Sequence, residues 1–497
     1  MVVARKDLPH DAHRVRRRRR PMHRPTPAGR PPGLPPSRGR RADARGPTLG
    51  PGLRHTDEGR RGKRPVDRRG DRDRRRHWYR HRVHHRIRTI IEAQTGVPYD
   101  RILLNSSHTH ASLWPRVDGK LHGEFDSVTD AEAAYFARLP YDYATAVVKA
   151  LQQLAPARIS GAVGRASGLA VNRRERTREG TTILGWNREG FIDEDVPTIR
   201  IDAHDGTPIA TLVGFGCHPV SLGGEVPLSG PDYVGELRNR VELLRGGVCL
   251  FLQGAAGNIL PLEAFCDSPG PEVAMGARLG LEAAHAVADT DPRVIDIEPM
   301  KYGSVTPITL YRRVAAPVQP PQPVAVRRVV IDLPLLPPMT VEAMSTELDQ
   351  RRAERAEQER AGAGRDVLNP ITYHVNWLEA MLDRAADGPL PSTIPGEVWA
   401  ARFGDTAIVG TPGELFSELG AEVRRRSPFA TTIFAGYCQG VLGYVATADE
   451  YAFGGYEPAV AQRGYAHPAP FTPEAGRLLV ETAVELLESI ALTEVHR

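Results

Sequence analysis

The abrupt change of texture near residue 88 most constrains what this chain can fold into. Residues 1–88 hold 27 Arg and 2 Lys against 8 acidic residues, a charge of +21, whereas the remainder carries −16, so the formal +5 of the 497-residue chain joins two unlike pieces. The first piece runs through Arg14, Arg16 and its neighbours to Arg20 and a proline-rich stretch at 31–36, with very few Leu, Ile, Val or Phe. Such a composition buries too little apolar surface to offset the entropy of ordering, so residues 1–88 are predicted to be a disordered basic segment. Two origins remain open: a basic arm for nucleic acid or an anionic membrane surface, or GC-rich DNA translated in the wrong frame. The second is favoured, because aromatic residues are almost absent apart from Trp78 and Tyr79; no specific nucleic-acid partner is expected. No apolar stretch of about 7 to 15 residues follows the arginines, so no signal peptide is visible and a cytoplasmic location is expected.

The fold therefore rests on residues 89–497. A helix ending at Gly96 leads through Val97-Pro98 into a strand at 101–104. Apolar runs at 158–163, 198–201, 210–216 and 248–252 predict strands, and helical periodicity marks 129–155, 232–245, 272–288, 340–361, 373–386, 414–425 and 473–491. The ranges 398–410 and 430–446 read as strand-rich, and the proline patch 317–323 as a loop. This alternation predicts an α/β fold, mixed sheets covered by helices in a single large catalytic domain. No internal repeat is visible, and no run of about 18 uninterrupted apolar residues could form a transmembrane helix. Cys217, Cys249, Cys266 and Cys438 lack Cys-X-X-Cys spacing and read as free thiols.

Two histidine features sit where strands end. In His108-Thr109-His110, continued extension would turn both imidazoles to one side, offering two nitrogens to one cavity. Hydrogen-bonded or surface histidines remain the alternative. In Cys217-His218-Pro219 an apolar run delivers one imidazole and is then broken by proline, and strand tips are where α/β sheets place ligands. Beyond come Ser229-Gly230-Pro231-Asp232 and the small-residue turn 253–261, whose glycines allow close approach of backbone to a ligand but which lacks the Lys-Ser/Thr of a phosphate loop. The charged run Arg173-Arg174-Glu175-Arg176, taken alone, reads as a solvated face.

The order of these motifs, from about residue 89 to the C-terminus, resembles the catalytic domain of the neutral/alkaline (non-lysosomal) ceramidase family, zinc-dependent amidases that cleave the N-acyl bond of ceramide. Ser107-His108-Thr109-His110 is similar to the family's Thr-His-Thr-His, His218-Pro219 to its His-Pro, Val171-Asn172-Arg173 to its Asn-Arg, Thr411-Pro412-Gly413-Glu414 to its Pro-Gly-Glu and Gly443-Tyr444-Val445 to its Gly-Tyr-Val. The resemblance implies a Zn2+ held by His108, His218, Glu414 and Tyr444, with His110, Arg173 and Tyr456 in the active site. It also implies a role in sphingolipid metabolism.

Three departures qualify it. The family's loop Gly-Asp-Val-Ser-Pro, whose serine is assigned as nucleophile, stands here as Gly257-Asn258-Ile259-Leu260-Pro261, so serine chemistry is excluded at Leu260. Residues 1–88 do not resemble the family's early strands, which would leave a sheet edge unpaired. The chain also ends too soon for the small C-terminal β-domain of full ceramidases. The expected function is hydrolysis of an amide or ester of a small molecule or lipid by zinc-activated water. The alternative is an inactive metal-binding protein with a basic arm. A two-metal hydrolase would need further carboxylates, for which Asp232 alone is available.

Overall fold

The computed structural model describes residues 79–112, 129–224, 226–288, 290, 295–300, 308–315 and 321–492. Residues 1–78 of the segment expected to be disordered lie outside the described residues. Among the described residues no helix is long and apolar enough to cross a membrane. Helix α1 (Tyr79–Thr95) begins upstream of the break expected at residue 88. Ile87, Arg88 and Ile91 are buried, because the helix packs against α2 (Asp130–Gln152) through Ile87, Ile91, Ile102 and Ala144. Arg88 is paired with Glu397 at 3.0 Å, so the last turns of this basic stretch belong to the folded body.

The central strands are β1 (Ala157–Arg165), β2 (Ala170–Arg176), β3 (Thr182–Asn187), β4 (Asp195–Ala203), β5 (Pro208–Phe215), β6 (Val248–Gln253) and β7 (Ile259–Pro261), with α3 (Tyr233–Arg245) between β5 and β6 and α4 (Pro271–Ala286) after β7. A short hairpin follows, β8 (Ile295–Met300) and β9 (Leu310–Ala315). The second half comprises β10 (Val324–Pro334), α5 (Val341–Arg360), α6 (Arg365–Ala386), β11 (Thr393–Phe403), β12 (Thr406–Gly410), β13 (Glu414–Leu415), α7 (Ser417–Arg426), β14 (Thr431–Ala435), β15 (Tyr444–Val445), α8 (Tyr456–Ala459) and α9 (Glu474–Ala491).

Two four-stranded sheets carry the architecture, ordered β1-β4-β5-β6 and β10-β11-β12-β14. In each, the first two pairings are antiparallel and the last is parallel. The sheets pack face to face: Ile199, Ile201, Ala210 and Leu212 of the first meet Trp399, Ala401, Ile408 and Ile433 of the second. The alternate residues point outward. Val196, Val213 and Phe215 meet Leu237 and Val241 of α3 and Leu279 of α4, while Val398, Ala400, Val409 and Phe434 meet Leu479, Ala483 and Leu487 of α9. The result is a four-layer α-β-β-α arrangement, and the central strands are apolar on both faces because both faces are covered. This is the predicted α/β fold with mixed sheets.

Several local expectations differ. The segment 102–104 is extended but forms no ladder strand; Asn105 makes a single bridge to Cys438. The helix expected from residue 414 begins at Ser417, because Glu414 pairs with Tyr444 in the two-residue ladder of β13 and β15. The long strand β10, next to the proline patch, and the β2–β3 hairpin were not expected: β10 and β3 are half-exposed, and β2 buries Arg173 and Arg174 at consecutive positions, so none of them shows a clean period of two. The repeated strand order has no counterpart in visible sequence repetition.

Candidate metal centre

The candidate residues converge on the tips of the two sheets. His218 follows β5, and its Nδ1 bonds the backbone carbonyls of Ala256 at 2.7 Å and Ile259 at 3.1 Å. That fixes the ring so that Nε2 points at the Glu414 carboxylate, 3.1 Å away. A backbone acceptor on one ring nitrogen leaves the other as a lone-pair donor, as in metal-ligating histidines. Glu414 is completely buried. Gly413 precedes it at φ 122, and a Cβ there would come within 2.8 Å of the Gly443 carbonyl, so only glycine permits this turn.

His108 reaches the same point from a different direction. Its φ is 62, so the backbone does not continue extended through it and the simple period-two reason for pairing it with His110 fails. The rings nonetheless converge: His108 Nε2 is 3.2 Å from His110 Nε2 and 3.3 Å from Glu414 Oε2. The loop is clamped by Thr109 donating to the Gly230 carbonyl and by Gly230 donating to Ala111, which is what the Ser229-Gly230 motif does here. Asp232 spends both carboxylate oxygens on the amides of Leu222 and Tyr233 at the start of α3. Its position is that of a helix cap, and a second metal gains no ligand from it.

Among the described residues, His108, His110 and His218 form a group whose ligand atoms all lie within 4.8 Å of one another. Tyr444 adds its hydroxyl 3.4 Å from His218 Nε2. Four donors about 2.0–2.1 Å from one zinc in a tetrahedron stand about 3.3–3.4 Å apart, so the spacing and the imidazole–carboxylate donor set fit a zinc ion. His108, His218, Glu414 and Tyr444 could hold it, and His110 is a further nitrogen of the same cluster.

Electrostatics agree with that chemistry. Burial, followed by the Arg173 charge, lowers the His218 pKa to about 4. His110 opens onto a cavity, yet protein surrounds it closely enough that desolvation and then His108 and His218 lower its pKa to about 3. Both are neutral near pH 7, the form that ligates. Burial alone would raise the Glu414 pKa, but His108 and His218 more than offset it and hold the carboxyl well below its usual range. Burial keeps Tyr444 and Tyr437 protonated.

Sequence reasoning missed two tyrosines. Tyr437, buried at φ 53 just beyond β14, sets its ring 4.7 Å from that of His108 at a tilt of 35° and directs its hydroxyl to Glu414 Oε2 at 3.3 Å. Tyr465 donates to the other carboxylate oxygen, Glu414 Oε1. A tyrosine directly after a glycine at a strand tip, Gly436-Tyr437, was the available signal.

Arg173 is buried rather than solvated. Its Nε donates to Glu457 Oε1 at 2.8 Å, its guanidinium lies 5.2 Å from the Tyr444 ring, and its Nη2 has no hydrogen-bond partner. Glu457 is shared with Arg174 at 2.6 Å, and Arg174 is shared with Glu450 at 2.6 Å. Tyr456 stands at the edge, its ring 5.6 Å from Tyr444. Leu260 pairs with Val171 in the β2–β7 ladder and packs on Val171 and Val220 as an ordinary core residue. The small residues of this turn serve the fold rather than a ligand, since a Cβ on Gly257 would lie 2.4 Å from the Glu414 carbonyl.

A cavity of about 920 Å³ opens beside His108 and His110, walled by Tyr135 and Phe136 of α2 and by Leu250 and Phe251 of β6.

No protein-family profile and no curated protein matches this chain. Solved structures do. A neutral ceramidase from Pseudomonas aeruginosa matches with TM-score 0.51 and 17% identity over 83% of this chain and 65% of that one. A ceramidase complexed with C2 matches with TM-score 0.54 and 15% identity over 83% and 66%. The chain thus has a ceramidase-like fold and spans just under two thirds of the length of the structures it matches.

Proposed function

We propose that this protein is a zinc-dependent hydrolase that cleaves an amide or ester bond of an N-acyl or acyl substrate, as its ceramidase-like fold and donor cluster suggest. The observation that carries the reading is the convergence of His108 and His218 on the buried Glu414 carboxylate, with His110 against His108, beside an apolar-walled cavity. A zinc ion held there would supply a water of lowered pKa and polarise the scissile carbonyl.

The chain's own residues supply the rest. His110, neutral near pH 7 and facing the cavity, accepts a proton at Nε2 and returns it to the leaving group. Arg173 offers its unpartnered Nη2 to the oxygen on which negative charge grows. Glu457 holds the guanidinium in place, so the donor is fixed before the substrate arrives. Tyr456, half-exposed against Tyr444, orients the substrate's polar end. Tyr135, Phe136, Leu250 and Phe251 exclude water from the acyl group. Leu260 lacks a hydroxyl, and no acyl-serine forms at that position.

The test is zinc stoichiometry of wild type against His218→Ala, with a screen of N-acyl amides and esters. The expected result is about one zinc per chain and hydrolysis of at least one substrate class in wild type, with both lost in the variant. Wild-type protein binding less than about half an equivalent would overturn the reading.

A further inference from the structure

Gln253 ends β6 and is fully buried. Its side-chain Nε2 donates to the carbonyl of Ser107 at 3.1 Å and to the carbonyl of Cys217 at 2.7 Å. Its Oε1 accepts from the Cys217 amide at 3.5 Å. Ser107 immediately precedes His108, and Cys217 immediately precedes His218. One planar carboxamide therefore braces the two backbones that carry two of the candidate ligands.

The main chain of Gln253 extends the brace. Its amide donates to Asn105 Oδ1 at 3.0 Å, and its carbonyl accepts from Asn105 Nδ2 at 3.3 Å and from the Gly436 amide at 2.9 Å. Asn105 Nδ2 also reaches the Gly436 carbonyl at 2.6 Å. In the repeated strand order Gln253 is opposite Phe215 and Ala435 is opposite Gly410, so Gln253 and Ala435 close equivalent strands of the two sheets. The Gln253 carboxamide thus lies where those two tips meet. Its hydrogen-bonding groups all have partners, and it does not face the cavity.

We propose that Gln253 is a positioning residue of the metal centre, whose carboxamide sets the separation of the His108 and His218 imidazoles and so the geometry of coordination. The inference rests on the metal-centre reading above. Supports of this kind typically govern metal affinity by about 10- to 100-fold. A glutamine that merely satisfied the core would contribute to folding stability and leave coordination alone.

The two roles separate experimentally in the full-length protein. Gln253→Met keeps length and bulk but removes the side-chain hydrogen bonds, and Gln253→Asn keeps an amide but withdraws it from Ser107 and Cys217. Zinc dissociation constants are measured by competition with a chromophoric chelator, visible spectra are recorded with cobalt(II), and circular dichroism checks the fold. The expected result is a zinc dissociation constant raised about 10- to 100-fold in whichever variants fold, with altered intensity and position of the cobalt bands. Wild-type affinity and an unchanged cobalt spectrum in a folded variant, even one with a lowered melting temperature, would overturn the proposal. Wild-type protein that binds neither metal would overturn the metal-centre reading itself, a different result from a variant that binds as wild type does.

Discussion

In both sheets the third strand lies antiparallel to the second and parallel to the fourth, and in both a candidate ligand comes just past the third strand's tip, His218 after β5 and Glu414 after β12. The first sheet presents a neutral imidazole tied by Nδ1 to backbone carbonyls. The second presents an anionic carboxylate steadied by two tyrosine hydroxyls, and it needs an extra two-residue ladder, Glu414 opposite Tyr444, to do so. The difference teaches that a shared strand order fixes where a functional side chain emerges, whereas the few residues beyond the tip decide its chemistry.

Removing one side's ligand tests that division most severely. Glu414→Gln should reduce bound zinc from about one to under about a tenth of an equivalent and abolish hydrolysis, as His218→Ala should. If Glu414→Gln kept its zinc, the imidazole side alone would hold the metal and the two sheets would not be equal donors.

The next effect concerns the cations beside the second sheet's tyrosines. Glu457→Gln leaves Arg173 and Arg174 buried with a neutral partner, and the expected loss is about 3–5 kcal/mol of unfolding free energy in urea. A loss near zero would show that water reaches these guanidinium groups.

How much of this was legible in the sequence depends on the residue. His218 announced itself because an apolar run ended in His-Pro, whereas Glu414 was found only through the resemblance of Pro412-Gly413-Glu414 to the ceramidase family's Pro-Gly-Glu. Tyr437, Tyr465 and Gln253 did not, since a tyrosine or glutamine that serves a ligand looks in sequence like one that fills a core. The paired sheets were hidden for a related reason: strands covered on both faces lose the alternation that distinguishes inside from outside. His108 was identified for a reason that fails, because its left-handed backbone breaks the extended geometry on which the expectation rested.

Leu260 supplies a smaller effect on the first sheet's side. Leu260→Ser places a hydroxyl in the β2–β7 core and should cost about 3 kcal/mol without raising hydrolysis above wild type. A gain of activity would return that loop to the chemistry.

The smallest effect is in protons. His218 titrates near 6.5 when unfolded but near 4 when folded, so the unfolded chain binds more protons between these values. The stabilisation present above about pH 6.5 is lost as pH falls toward 4. The urea midpoint of metal-free protein should therefore decline between pH 7 and pH 4.5, and His218→Ala should remove its share of the slope while the share of His110, lowered to about 3, remains. The carboxylate side adds slope only at the acid end of this range, where an unfolded Glu414 takes up protons near 4.5 while the folded one is held ionised.

His218 and Glu414 are 196 residues apart in the chain, and Tyr444 is 226 from His218. Loop-closure entropy rises only slowly with such lengths, but contacts this remote form only after the intervening structure has condensed. The donor cluster is then among the last features to assemble on the folding pathway. An ion arriving early finds scattered ligands and gives the nascent chain no template; one arriving late acts as a latch, slowing the unfolding of a body that has already closed.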